Sequence, residues 1–71
     1  MRELIVNALN KKYESQIAEA KAVITIYMEK SVGIGEHPQH LEEIDKQLNK
    51  IAEAEDKKKV LLNTFDESIP F

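Results

Sequence analysis

All but one of the helix breakers of this chain fall in one stretch. Its two glycines, Gly33 and Gly35, and the first of its two prolines, Pro38, fall between positions 33 and 38, while Pro70 is next to last. On either side of that stretch nothing interrupts a helix, so the sequence divides into two long segments and one connector. The spacing predicts an all-α fold: a helix over about residues 2–30, a connector at 31–37, a second helix over about 38–65 and a tail at 66–71. At about 1.5 Å per residue each helix spans roughly 40 Å, and the connector lets the second fold back antiparallel on the first. The expected architecture is an αα-hairpin, one domain over 1–71, whose tail returns near the N-terminus.

Composition removes most function classes. With 71 residues and no cysteine there is no disulfide staple, no thiolate nucleophile and no Cys-based zinc site. A net charge of −3 leaves no general basic face for DNA, so nucleic acid is not an expected partner. Apolar runs are too short to span a membrane, and Met-Arg-Glu-Leu-Ile-Val-Asn lacks the apolar stretch of a signal peptide. A cytoplasmic location is therefore expected.

The first segment carries Ile5, Leu9, Tyr13, Ile17, Ala20, Ile24 and Tyr27 in steps of three and four, which is one helical face. Between Ile17 and Met28 apolar character spreads further, through Ala18, Ala22, Val23, Ile26 and Met28. A helix apolar over most of its circumference needs more than one covering surface, and the second helix supplies one. The surplus predicts a homo-oligomeric helical bundle, with Ile17, Val23, Ile26 and Met28, joined by Leu62 and Phe65, at the subunit interface.

The second segment places Leu41, Ile44, Leu48, Ile51, Glu55, Lys58, Leu62 and Phe65 on a heptad seam interrupted at Glu55 and Lys58, with Ala52, Ala54, Val60 and Leu61 flanking it. Glu42–Lys46, Glu53–Lys57 and Glu55–Lys59 run Glu to Lys at i,i+4, each adding about 0.2–0.5 kcal/mol. On the seam, Lys58 either extends its head to water, pairs with an acid such as a partner subunit's Glu55, or meets a phosphate. Lys12 and Lys11 would lie beside it in an antiparallel hairpin.

Candidate ligand-binding residues cluster around the connector and the two tyrosines. Gly33 suits a helix end and Pro38 a helix start, so a plain capped turn explains both. Alternatively, Gly33 and Gly35 let backbone N–H groups converge on an anion at a helix N-terminus, with His37 and His40 as further donors. Tyr13 and Tyr27 read either as core aromatics or as platforms for a nucleobase, and Lys12 and Lys58 as phosphate partners. No His-Glu-x-x-His spacing is present, so no metal and no cofactor are expected around Glu36, His37, His40 and Glu43. None of the serines sits in a nucleophile turn, and no enzyme activity is expected.

The run Ile26-Tyr27-Met28-Glu29-Lys30-Ser31-Val32-Gly33-Ile34-Gly35-Glu36-His37-Pro38, followed by an acidic helix with Ile51-Ala52-Glu53-Ala54-Glu55-Asp56, resembles small helical-hairpin proteins of T-even-like tailed phages and cyanophages. Those chains carry a Val-Gly-Ile-Gly-Glu-His-Pro connector between two helices, and the likeness covers nearly the whole chain. Here Gln39 and His40 follow the proline where an acidic and an aliphatic residue are expected. The resemblance implies a phage origin and a helical-hairpin architecture, with the host cytoplasm as location; compact cysteine-free phage proteins of this size commonly act by stoichiometric binding. Two functions follow as expectations. In one, an oligomer sequesters a small anionic ligand such as a cyclic nucleotide immune signal. In the other, the hairpin is a protein–protein interaction module that inhibits a host factor or assists phage replication.

Overall fold

A computed structural model of the chain describes residues 1–30 and 39–65, with side chains over 1–29 and 40–65. It contains two helices, α1 (Arg2–Lys30) and α2 (Gln39–Phe65), packed against each other as an all-α hairpin. Helix α1 opens with the Met1 carbonyl accepting from the Ile5 N–H at 3.1 Å. Within it, the Thr25 hydroxyl donates to the Lys21 carbonyl at 2.8 Å, the usual way a mid-helix threonine satisfies its polar group. The expected cap and turn at Gly33, Gly35, His37 and Pro38, and the tail at 66–71, lie outside the described residues.

Three cross-helix contacts set the antiparallel register. Arg2 reaches Phe65 at one pole, Lys58 reaches Glu14 in the middle, and Tyr27 meets His40 at the other pole. Helix α1 presents Leu9, Tyr13, Ile17, Ala20, Ile24 and Tyr27 inward, as the periodicity predicts. Ile5 departs from that reading: it is exposed, and Val6 takes the half-buried position.

On α2 the buried stripe differs from the expected one. Leu41, Leu48 and Glu55 are exposed, and the inward set is Ile44, Gln47, Ile51, Ala54, Lys58 and Leu61, with His40 and Leu62 half-buried. Both stripes share Ile44, Ile51 and Lys58, so three-four spacing alone fits either. Turning the helix so that Ala54 replaces Glu55 keeps a carboxylate out of the interface, where its desolvation would be costly. It also lets the backbones approach, since Ala20 and Ala54 are the least exposed side chains of the core, at 1% and 2%. Leu41 and Leu48 are left in water as the consequence.

The surface pairs follow the same geometry. Lys57 and Glu53 approach to 3.2 Å as expected at i,i+4. Lys46 instead reaches Glu43 at i,i+3, 3.9 Å away, rather than Glu42. Glu55–Lys59 is not among the ion pairs of the described residues. The seam assignment is tested by two truncations followed by urea denaturation. Leu61→Ala is expected to cost about 2–3 kcal/mol, the low end for a buried leucine, whereas Leu48→Ala stays within about 0.5 kcal/mol. Equal losses at both positions would return Leu48 to the interface.

Candidate functional site

Lys58 is a charged group on the inward stripe of α2, which also carries the buried Gln47. Its side chain is 32% exposed, and its Nζ donates to Glu14 Oε2 at 3.0 Å across the helix interface. Lys11, one turn before Glu14, lies 3.7 Å from the other carboxylate oxygen. Glu14 is thus bracketed by two cations. The hydrogen bond from Lys58 and then its charge hold the Glu14 carboxyl below the ordinary glutamate value, with Lys11 adding to the effect and partial burial opposing it. Lys58 is paired within the chain, with Glu14 as its partner. Asn10, one turn from Glu14, adds a buried Oδ1 with no hydrogen-bond donor among the described residues.

Towards the far pole, Tyr27 and His40 stand edge-to-face with centroids 5.4 Å apart and planes at 88°. This is a favourable aromatic arrangement. With Glu42 and Glu43 they line an open groove of about 360 Å³. Two carboxylates on its wall oppose an anionic ligand.

The candidate binding residues therefore divide along the molecule. Tyr27 and His40 come together, and Tyr13 and Lys12 neighbour the Glu14–Lys58 pair in sequence. Tyr13 and Tyr27 are separated by about 21 Å along α1, and His40 and Lys58 by about 27 Å along α2. Tyr27 and His40 are thus remote from Lys12 and Lys58, whereas Tyr13 and Lys12 adjoin Glu14, the partner of Lys58. Gly33, Gly35 and His37 lie outside the described residues. Among those described, no group of three or more His, Asp or Glu side chains is placed to hold a metal ion. No helix is long and apolar enough to cross a membrane.

At the opposite pole, the first turns of α1 and the last turn of α2 form an apolar groove of about 470 Å³, lined by Met1, Ile5, Val6, Leu9, Leu61 and Phe65. Arg2 closes one side: its Nε donates to the Phe65 carbonyl at 3.3 Å and its guanidinium lies 5.9 Å from the Phe65 ring centre. Helix α2 has no basic residue of its own in its last turn. Arg2 supplies that charge from the neighbouring helix, satisfying a terminal carbonyl and the negative end of the helix dipole. Neither Glu14 nor this groove emerges from periodicity within one helix, because both are defined by what lies across the hairpin. Among the expected interface residues, Ile26, Met28 and Phe65 are exposed, while Ile17, Val23 and Leu62 are half-buried.

No protein-family model, no curated protein and no solved structure matches the chain.

The Glu14 contact has a pH signature. A carboxyl with a lowered folded pKa contributes stability that is present above its unfolded pKa and lost as pH falls through its folded pKa. Urea midpoints of the wild type and Glu14→Gln are therefore expected to differ at neutral pH and to converge in acid, below the ordinary carboxylate range. Parallel curves across that range would remove Glu14 as a stabilising partner of Lys58.

Proposed function

We propose that this chain is a non-enzymatic helical interaction module that assembles with copies of itself and acts by stoichiometric binding of protein. One observation carries the reading. Among the described residues the buried apolar core is Ala20, Ile24, Ala54 and Leu61, whereas nine large apolar side chains are exposed, from Met1 and Leu4 to Val60 and Phe65. Fully burying one such side chain is worth about 1.5–3 kcal/mol, so a second surface laid on the hairpin adds apolar burial that its own seam leaves unused. The likeness of the connector to small phage hairpins supports a phage-type protein whose further partner is a host or phage protein. An open hairpin with a thin core suits a binding role better than catalysis.

The alternative is sequestration of a small anionic ligand between copies, for which the Tyr27–His40 pair is the specific support. Its phosphate-binding lysines would then come from another part of the assembly, since Lys58 is engaged with Glu14. Sedimentation velocity and thermal melting over a hundredfold range of protein concentration test the first reading. A species heavier than 8.1 kDa is expected, with a melting temperature that rises with concentration. An 8.1 kDa species melting at one temperature throughout would sink it. Titration with cyclic di- and trinucleotides tests the second: at a hundred times the dissociation constant a ligand adds about 2.7 kcal/mol, or roughly 10 °C or more for so small a domain. No shift with any of them eliminates it.

A further inference from the structure

We infer that α2 has a second seating on α1, reached by rolling about its own axis, and that Glu55 holds it in the observed one. The inference rests on the interaction-module reading and deepens it. It gives the module an off state, in which α1 itself covers Leu41 and Leu48.

Helix α2 carries two stripes that run side by side. They share Ile44, Ile51 and Lys58, and they differ in that His40, Gln47, Ala54 and Leu61 are each exchanged for the residue that follows. At about 100° per residue, that exchange takes a roll of about 50°. No slide along the axis is needed, because Lys58, paired with Glu14, stands on both stripes.

The two seatings oppose gains and losses of the same kind. In the observed one Gln47 is 8% exposed, and no hydrogen bond is made to it among the described residues, while the next residue, Leu48, is 51% exposed and Leu41 73%. Rolling returns the Gln47 amide to water and brings Leu41, Leu48 and the half-buried Leu62 against α1, at the expense of Leu61. Against the roll stand the close approach of Ala20 to Ala54 and the edge-to-face contact of Tyr27 with His40. Above all stands the Glu55 carboxylate, which would pass from water into the interface. Of the four residues that the roll carries inward, Glu55 alone is charged. Packed seams change between discrete arrangements, so two seatings separated at one charged residue form a switch. The outward face of α2 changes with it, Leu41 and Leu48 giving way to His40 and Gln47.

Thiol labelling decides the matter, because the native chain has no cysteine. Gln47→Cys and Leu48→Cys are each made in the native background and with Glu55→Leu, then labelled with a soluble maleimide at high dilution. In the native background Leu48→Cys is expected to react about tenfold faster than Gln47→Cys. With Glu55→Leu the order is expected to reverse. Neither reporter favours that result, since one removes a leucine that the roll buries and the other an amide that it releases. A nuclear Overhauser contact between the Tyr27 and His40 rings, present in the native chain and lost in Glu55→Leu, reads the roll without any cysteine. Glu55→Gln is expected to move both readouts part of the way, and it serves if Glu55→Leu does not fold. An unchanged labelling order with the ring contact retained overturns the second seating. Slower labelling of Leu48→Cys with Gln47→Cys still protected overturns it in favour of association through the Leu48 face, and leaves the interaction-module reading intact. Fast labelling at both positions in a helical chain overturns it as a loosened seam. A reversed order in a chain that stays monomeric at every concentration keeps the roll and removes the interaction-module reading.

Discussion

A two-helix chain has one interhelical seam, and every other property of this molecule depends on how that seam is filled. Its centre is made close by small side chains, Ala20 on α1 and Ala54 on α2, and its larger apolar members, Ile24 and Leu61, complete a narrow core. Lys58 sits on the same line. Its side chain is 32% exposed, and Glu14 meets it from the facing helix at 3.0 Å. Arg2 on Phe65 and Tyr27 on His40 hold the two poles. With contacts at three heights the register is fixed, although the apolar core itself is small. Polar groups on an otherwise apolar seam are the usual device for specifying one alignment among several.

The cost of that arrangement appears on the outside. The rotation of α2 that brings Ala54 inward turns Leu41 and Leu48 into water, and the inward position of Val6 leaves Ile5 out. These exposed apolar side chains are the physical support for the proposed reading of the protein as an interaction module. Tyr27 and His40 are separated along the helices from Lys12 and Lys58, so a ligand held on that ring pair would meet Glu42 and Glu43 rather than the two lysines.

Much of the fold was legible because helix formation is local. The absence of Gly and Pro outside 33–38 and the chain end delimits two segments, and the spacing from Leu9 to Tyr27 marks the inner face of α1 within a residue. The Glu53–Lys57 pair is equally local and forms as expected. The candidate site was less legible. Lys58 stands out in the sequence as a break in the apolar stripe of α2, yet Glu14 carries no mark beyond its place next to Tyr13 on α1 and its nearness to Lys11. Arg2 looks like an ordinary terminal charge until the end of α2 is brought beside it.

The sequence by itself determined that this chain makes two helices, where they run, and that they meet antiparallel, since breaker placement and three-four periodicity act within a few residues of each position. Only the tertiary structure decided which of two overlapping stripes of α2 faces α1, what Lys58 pairs with, and that an apolar groove opens at the Met1–Phe65 pole. Helical period fixes a stripe only to within about one position. The final rotation is chosen by the atoms across the interface: a carboxylate at 55 is expensive to bury, an alanine at 54 is not, and the lysine at 58 meets Glu14 from the facing helix.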